Sequence, residues 1–308
     1  MSFVYTERKQ YDQALAAGER ALALDPNNAD SYAHQADVLN LALSRPAEAL
    51  PMMEQAMRLN PHYPAWYLIQ LGYAYRMTGQ YAEAIAALKE LIRQSPTFLP
   101  AYSNLVVSYL GQWGAQQGST GQTLEEAFAT AQQALAFKDP LSWNHLVLGY
   151  VYLAQQEYEP ALAEMERAVA LAPTVAESYA ALADVLSCVG RTEEALAAAA
   201  QALRLQSESA DEYLASAGAA YAGAGHYAEA VAPLQRYLSH YPNVLPVHLT
   251  LAEVYSELGK EAEARAEAAE VPRLNPNFSL EVHRQRVPIK DPAVLERHLT
   301  TLRKAGLK

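Results

Sequence analysis

The sequence predicts an all-α solenoid, in which helix–turn–helix units of about 34 residues stack on copies of themselves. Three observations support this fold class. Proline recurs at a nearly constant interval, an alanine recurs once in each interval, and tyrosines recur at two positions around a turn. Because a period of this length is typical of one repeated supersecondary unit, the fold can be predicted before any single element is assigned.

The prolines that mark the repeat are separated by 33 to 35 residues in most cases. One interval of 44 contains an insertion, and one of 69 spans two repeats, with Ser207 where a proline would fall. Proline cannot donate a hydrogen bond inside a helix, so it separates the second helix of one unit from the next unit. The positions are Pro26, Pro61, Pro96, Pro140, Pro173, Pro242 and Pro276.

A small residue recurs where the two helices of each unit must cross. In the unit from Leu71 to Leu88 the apolar spacing is helical, Gly79 predicts the turn, and Ala84 predicts the close approach. A bulkier side chain there would push the two helices apart. The alanine is present in every unit, at Ala14, Ala49, Ala84, Ala127, Ala161, Ala195, Ala230 and Ala264.

The pattern L-G-x-x-Y-x-x-x-G-x-Y-x-x-A, closing in L-x-P, resembles the tetratricopeptide repeat. The resemblance covers residues 5–276, as seven whole repeats and a leading half, and Pro46 and Ser207 depart from it. It implies a right-handed superhelix whose concave wall consists of first helices, and a role in protein–protein interaction. The aromatic matches are Tyr75, Tyr152, Tyr221 and Tyr255 in first helices and Tyr11, Tyr81, Tyr158 and Tyr227 after the turns.

The first unit begins in the middle of a repeat, because Tyr5 already occupies the first-helix aromatic position. An array that starts with half a helix pair leaves an apolar face uncovered. We therefore expect a longer protein with a segment upstream of Phe3, and the alternative is a short natural N-terminus that acts as an unusual cap.

The third unit carries nine extra residues between Tyr109 and Ala127. The segment 111–123 is rich in glycine and glutamine, which predicts a flexible, exposed loop. Trp113 within it is either an anchor for a partner or a side chain that packs back on its own helix end.

The repeat pattern stops after Pro276, so the sequence divides into an array, residues 1–276, and C-terminal capping helices, residues 277–308. A helix over Phe278 to Arg286 is expected to cover the last repeat. Asp291 is the expected cap of a second helix that begins at Pro292. Its predicted apolar stripe is Val294, Leu295, His298, Leu299 and Leu302.

The C-terminal part carries a second resemblance. The runs LNPNFSLE at Leu274 to Glu281 and KDPAVLERHLTTLRKAGL at Lys290 to Leu307 resemble the end of bacterial class III adenylate or guanylate cyclase proteins. In those proteins a cyclase domain precedes a tetratricopeptide array. Similar arrays follow winged-helix domains in some bacterial regulators, so the resemblance leaves the upstream domain open.

Composition narrows the functional classes. The formal charge of −11 argues against a nucleic-acid surface, and no apolar run is long enough to span a membrane. The single cysteine, Cys188, and the charged N-terminus fit a cytoplasmic protein. No nucleotide-binding or zinc-binding motif is present, so we expect no enzyme activity, cofactor or metal. His226, His240 and His248 are expected to be surface or groove residues.

The first helices supply the candidate binding residues, because they form the concave wall. This surface is aromatic and apolar in units two to four, and small and weakly acidic later, as at Asp184 and Glu253. The predicted ligand is a peptide or helix with an apolar segment. The predicted partner-binding residues are Trp66, Ile69, Gln70, Tyr73, Arg76, Asn104, Trp143, Leu146 and Tyr150. The alternative is that these rings pack between neighbouring first helices.

Two functional hypotheses follow. The first is a non-catalytic interaction scaffold, the regulatory region of a larger bacterial signalling protein of the cyclase type. The second is a self-assembly module, in which the apolar face of the incomplete first unit docks on a second copy to form a homodimer.

Overall fold

The structure is a computed structural model that describes residues 10–42, 45–117, 120–137, 141–205 and 213–308. These residues form helices and turns, with no strand among them, which confirms the predicted all-α fold. The helices are α1 (Tyr11–Leu24), α2 (Ala29–Asp37, followed by a π-helical segment, Val38–Ala42), α3 (Pro46–Leu59), α4 (Trp66–Met77), α5 (Tyr81–Gln94), α6 (Leu99–Gly114), α7 (Thr120–Leu135), α8 (Ser142–Ala154), α9 (Tyr158–Leu171), α10 (Ala176–Cys188), α11 (Thr192–Leu205), α12 (Leu214–Gly223), α13 (Tyr227–His240), α14 (Leu245–Glu257), α15 (Glu261–Leu274), α16 (Leu280–Arg286) and α17 (Pro292–Lys304).

The helices follow the predicted repeats. After α1, the second helix of the leading half repeat, the helices from α2 to α15 correspond to the seven whole units. Contacts divide the chain into two compact units, Met1–Gln112 and Trp113–Lys308. The positions of Tyr5 and Ser207 lie outside the described residues. The sequence boundary after Pro276 lies within the second unit and stays a prediction.

The recurring alanine lies where the helices approach one another. All eight of these alanines are buried, with at most 1% of their surface exposed. Glycines on the first helices allow the same close approach. A Cβ at Gly72 would lie 2.9 Å from Leu88 Cγ, and one at Gly218 would lie 2.4 Å from Leu234 Cγ. Any larger residue at these positions would force the paired helices apart.

The turns inside the repeats contain a residue with positive φ. Gly79, which the sequence assigned to a turn, has φ of +77°, a conformation that glycine adopts without a steric penalty. Gln116 and Gln156 have φ of 55° and 61°, and they are the non-glycine residues with positive φ in the described part of the chain. Both of these glutamines also contact residues 279–290, which we call the C-terminal segment.

Most of the insertion in the third repeat is helical, and not the flexible loop that its composition predicts, while residues 118 and 119 lie outside the described residues. Helix α6 continues to Gly114, and α7 begins at Thr120, so most of the extra residues lengthen two helices. Glycine and glutamine in this segment therefore do not mark a long loop, because glutamine is compatible with a helix and tertiary contacts outweigh the glycine cost.

The C-terminal helices agree largely with the prediction. Helix α16 starts at Leu280, where Ser279 Oγ accepts from Val282 N–H, and α17 is capped by Asp291, whose carboxylate accepts from Ala293 N–H at 2.7 Å. Helix α17 packs on α14, the first helix of the last repeat. Leu299 and Leu302 are fully buried there, but Val294 is exposed.

Val294 therefore does not belong to the buried stripe. It lies in the first turn of α17 and is 39% exposed, whereas Leu295 beside it packs on the core cluster of the last repeat.

Candidate partner-binding surface

In the first compact unit, Met1–Gln112, the helices α2 and α4 are the first helices of two neighbouring repeats. They lie side by side and form a continuous wall. The ring of His34 on α2 stacks on Trp66 on α4, with 5.3 Å between the ring centroids. One residue further on, Tyr67 is buried and its hydroxyl donates to Asp30 Oδ1 at 2.7 Å. The wall is thus built by ring stacking at its surface and by a phenol hydrogen bond beneath it.

Five of the predicted binding residues lie on α4, namely Trp66, Ile69, Gln70, Tyr73 and Arg76. Each of them is half-buried, so part of each side chain is accessible to a ligand. They alternate with core residues of the same helix, as the helical period requires. The guanidinium of Arg76 lies over the Tyr73 ring at 5.1 Å from its centroid, a cation–π contact. We call these five residues the α4 row.

Polar groups support the middle of this row. Asn40 on the π-helical segment is fully buried, and its Nδ2 donates to Gln70 O at 3.2 Å and to Gln70 Oε1 at 3.4 Å. The side-chain oxygen of Asn40 is buried and has no hydrogen-bond partner among the described residues. Gln70 also bonds to the carboxyl of Asp37, whose pKa is raised because burial outweighs the effects of nearby His34 and of this bond. The side chain of Gln70 is therefore held in place before any ligand arrives.

Asn104 on α6 is also half-buried, but its side-chain amide is already engaged. Its Nδ2 donates to Pro100 O, one turn earlier in the same helix, at 2.9 Å. An asparagine that binds an extended peptide must offer its amide to the peptide backbone. Asn104 would have to exchange this local bond for one to the ligand.

The other three predicted residues, Trp143, Leu146 and Tyr150, lie on α8 in the second unit. Leu146 is 1% exposed and belongs to the core, so the prediction that it faces a ligand is wrong. Trp143 and Tyr150 are half-buried and pack against the same core cluster. The helical projection misplaced Leu146 because it could not show how closely α8 packs against its neighbours.

A buried polar cluster holds Tyr150. Its hydroxyl donates to Asp184 Oδ2 on α10, the next first helix, at 2.9 Å. Burial raises the pKa of Asp184 to about 6, although hydrogen bonds from Tyr150 and Ser216 act in the opposite direction. Nearby, burial raises the pKa of the Cys188 thiol to about 12, so this thiol is poorly nucleophilic. The contact between Tyr150 and Asp184 links two adjacent repeats.

The histidines that the sequence singled out are not arranged as a metal centre. His248, expected to be a surface or groove residue, is buried, and its ring nitrogens lie 2.6 Å from Glu267 Oε2 and 3.0 Å from Pro242 O. Both nitrogens are therefore engaged. Within the described ranges no group of three or more His, Cys, Asp or Glu side chains could hold a metal ion.

Sequence reasoning missed a docking site for the C-terminal segment on the second unit. Gln116 Nε2 donates to Ser279 O at 3.1 Å, and Ser279 N–H donates to Gln116 Oε1 at 2.9 Å. In the next repeat Gln156 Nε2 donates to Gln285 O at 3.1 Å. The signal in the sequence was glutamine at a turn position that glycine occupies in other repeats.

The same segment makes two further contacts. The guanidinium of Arg286 lies 4.0 Å from the Trp113 ring centroid and donates to Trp113 O. Lys290 N–H donates to Cys188 O at 3.0 Å, and Lys290 Nζ pairs with Glu159 at 2.6 Å. Trp113 is therefore neither free for a partner nor packed only on its own helix end, because an arginine of the C-terminal segment covers it.

A histidine pair fastens α16 to α17. His283 Nε2 lies 3.0 Å from His298 Nε2, and His298 Nδ1 lies 2.7 Å from Glu253 Oε2 on α14. The carboxylate can only accept, so His298 Nδ1 carries a proton, and the two Nε2 atoms lie within hydrogen-bond distance of each other. Burial, with a smaller effect of His298, lowers the pKa of His283 to about 3.

Comparison with known families agrees with this architecture. Residues 40–108 and 221–284 match one sequence profile of the tetratricopeptide repeat, and residues 144–175 match a second. Together the matches cover more than half of the chain. The chain belongs to the tetratricopeptide repeat family. Comparison of the sequence with curated proteins gives no significant match.

Several solved structures share the fold. A thermophilic tetratricopeptide repeat protein from Thermus thermophilus is 27% identical, with a TM-score of 0.56 over 62% of this chain and 98% of that one. The APC/C hetero-tetramer Cut9–Hcn1 gives a TM-score of 0.59 at 18% identity, over 96% of this chain and 52% of that one. A repeat protein from Parabacteroides merdae gives 0.53 at 12% identity, over 90% and 99%.

Tetratricopeptide repeat proteins generally act as scaffolds for protein interaction. No helix in the described part of the chain is long and apolar enough to cross a bilayer.

Proposed function

We propose that this protein is a non-catalytic interaction scaffold that binds an apolar peptide or helix on the α4 row. The observation that carries the proposal is the partial exposure of Trp66, Ile69 and Tyr73 along one face of a first helix. Aromatic side chains on rigid helices lose little entropy on binding and dominate the energetics of many interfaces. Stacking on His34 and the polar contacts around Gln70 hold this surface in shape.

The second unit is a weaker candidate for the same role. Trp143 and Tyr150 pack on a core cluster, and Leu146 is buried within it. A ligand there would have to displace internal packing, which costs stability. Binding is therefore assigned to Trp66, Ile69, Gln70, Tyr73 and Arg76, with Asn104 as an additional contact.

Selection from a random peptide display library tests the proposal. Peptides with apolar residues should be enriched on the wild-type protein, and the enrichment should be lost on a Trp66→Ala/Tyr73→Ala variant. Leu171→Ala is the matched control, because Leu171 is exposed and lies on a second helix. Equal enrichment on the wild type and the double variant would contradict the assignment, provided that both proteins melt at similar temperatures.

We propose a cytoplasmic bacterial signalling protein of the cyclase type as the context of this scaffold. Support comes from the two C-terminal runs, Leu274 to Glu281 and Lys290 to Leu307, that resemble the ends of such proteins. The sequence upstream of Phe3 in the parent gene tests this context. A cyclase domain there would support it, and a winged helix would replace it with a transcriptional regulator.

Self-association is the second candidate function. One observation favours it: Leu24, at the end of α1, is 87% exposed in the described part of the first unit. Light scattering across a dilution series tests for a dimer, and Leu24→Ser should shift the equilibrium towards monomer. A monomer at all concentrations would exclude this candidate and leave peptide binding unaffected.

A further inference from the structure

Arg76, at the C-terminal end of the α4 row, has no carboxylate partner among the residues that the structure describes. Its guanidinium lies over Tyr73, and its Nε is buried with no hydrogen-bond acceptor in the described part of the chain. Other helical arginines, such as Arg93 with Glu90, pair with a glutamate three residues away. The residues three and four positions from Arg76 on either side are uncharged, so no such pair can form within its helix.

The surroundings of Arg76 disfavour an isolated charge. Burial lowers the pKa of Arg76, and only the phenols of Tyr73 and Tyr81 act against this shift. No carboxylate pairs with Arg76 in the described ranges, although the chain contains 34 acidic residues against 23 lysines and arginines. Guanidinium stays protonated in proteins, so the positive charge persists and is costly without a partner.

Tyr81 shapes the site next to this charge. The ring lies against α6, where a Cβ at Gly111 would be 2.3 Å from Tyr81 Cε1. Burial raises the pKa of Tyr81, and the nearby charge of Arg76 acts in the opposite direction. Because Gly111 has no side chain, the Tyr81 ring can pack against α6 and lie near the guanidinium of Arg76.

We infer that Arg76 binds the carboxylate of an aspartate or glutamate side chain in the partner segment. The inference rests on the proposed function, because it places this carboxylate on the same peptide that covers the aromatic residues of the α4 row. A guanidinium presents a planar fork of donors that matches a carboxylate, and its contact with Tyr73 holds the fork in place. An acidic partner also complements the only cation of the row.

The geometry defines the recognition motif. Trp66 and Arg76 are ten positions apart on one helix, which corresponds to about 15 Å along its axis. The partner segment should therefore carry apolar residues that contact Trp66 and Tyr73. It should also carry an acidic residue at Arg76, about 15 Å from the apolar residue that contacts Trp66.

Peptide selection followed by sequencing tests the inference. The library is the random peptide display library, and the proteins are the wild type, Arg76→Met and Arg93→Met. Methionine retains an unbranched side chain that can cover Tyr73 but has no charge. Arg93 is an exposed arginine paired with Glu90, so its variant controls for the loss of one positive charge.

We expect Asp and Glu to be enriched beside the apolar residues on the wild type and on Arg93→Met, and not on Arg76→Met. A selected peptide should bind the wild type about tenfold more tightly than its Gln-substituted form, since a charge-assisted hydrogen bond contributes about 1.4 kcal/mol or more. This second comparison needs no variant, so it stays decisive if Arg76→Met does not fold.

Each remaining outcome overturns a defined statement. Apolar peptides selected without acidic residues would refute the role of Arg76 and leave the proposed function intact. Acidic enrichment that persists on Arg76→Met would place the carboxylate elsewhere and also refute it. If no peptide were more enriched on the wild type than on the Trp66→Ala/Tyr73→Ala variant, both the role of Arg76 and the proposed function would be refuted.

Discussion

Gln116 and Ser279 are joined by two reciprocal hydrogen bonds, although 163 positions separate them in the sequence. The glutamine amide donates to the serine carbonyl and accepts from the serine N–H, as a neighbouring β-strand would. Gln116 has a positive φ, which costs a non-glycine residue about 1 kcal/mol. The turn of the third repeat therefore accepts backbone strain in a residue whose side chain binds the C-terminal segment.

The first prediction concerns this attachment. Gln116→Ala combined with Gln156→Ala should release residues 279–290, because it removes the amides and keeps the strained φ values. Hydrogen exchange measures the effect, as faster exchange of the amides of α16 with little change in α4 and α5. Gln155→Ala, at a neighbouring position with ordinary backbone geometry, is the matched control.

A glycine at position 116 distinguishes the cost of the backbone strain from the effect of the lost side-chain contacts. Gln116→Gly should also speed the exchange of α16, but should cost less global stability than Gln116→Ala, since glycine relieves the backbone strain. Equal protection of α16 in the double alanine variant and in the wild type would show that the glutamine contacts do not hold the segment.

The second prediction is a loss of stability in acid that depends on His283. In the folded state its pKa is about 3, whereas the unfolded chain titrates near 6.5. The unfolded state binds more protons between these values, so the free energy of unfolding should fall by about 1.4 kcal/mol per pH unit below 6.5. Chemical denaturation from pH 7 to pH 4 measures this slope.

The groups that face the pair define its control. His298 with Glu253 on α14 lies on one side, and the ion pair between Arg284 and Glu296 links the same two helices. His283→Gln keeps a side chain that can donate to or accept from His298 and cannot titrate, so the stability of this variant should depend less on pH. An unchanged slope in this variant would assign the acid sensitivity to other groups.

The third prediction concerns Asp184, whose pKa of about 6 exceeds the unfolded value of 3.8. A raised pKa means that stability is fully present below 3.8 and is lost as the pH rises through 6. Asp184→Asn should remove this loss and stabilise the protein by about 3 kcal/mol at pH 8, while still accepting the Tyr150 hydroxyl. Thermal unfolding at pH 4 and pH 8 should show a gain at pH 8 alone.

The fourth prediction distinguishes the two sets of aromatic residues. Tyr150→Ala should destabilise the protein by about 3 kcal/mol, because it removes a packed ring and one of the two hydrogen bonds to Asp184. Trp66→Ala should cost about 1 kcal/mol, since the ring stacks on the surface of the wall. Denaturant titrations of the two variants measure both values, and equal costs would mean that Trp66 is a core residue.

The sequence was sufficient for most of the fold, and the binding site stays a prediction. Proline spacing and the alanine at each helix crossing predicted the helix pairs, because both depend on local geometry that every repeat must satisfy. Helical periodicity also predicted which residues of α4 are half-buried, and their role in binding stays a prediction. The burial of Leu146 was not predictable, since it depends on how closely neighbouring repeats pack, and a helical projection contains no information on that distance.

The attachment of the C-terminal segment was not predictable from periodicity either. Gln116 and Gln156 stand at turn positions, where sequence patterns favour glycine, and their partners lie in a part of the chain that has no repeat. The insertion was misjudged for a related reason. Its composition resembles a loop, but the contacts of Trp113 with Arg286 provide tertiary support for a longer helix end.

The C-terminal segment changes how the second compact unit should respond to the deletion of a repeat. In a simple repeat array each element depends only on its immediate neighbours, and stability spreads along one dimension. Here the C-terminal segment, residues 279–290, follows the seventh repeat and forms a strap that binds the third, fourth and fifth repeats. If one repeat were deleted, the length of this strap would no longer match the distance to its binding sites. Deletion of an internal repeat is therefore a poor route to a minimal version of this protein, whereas changes confined to the first unit leave the strap in place.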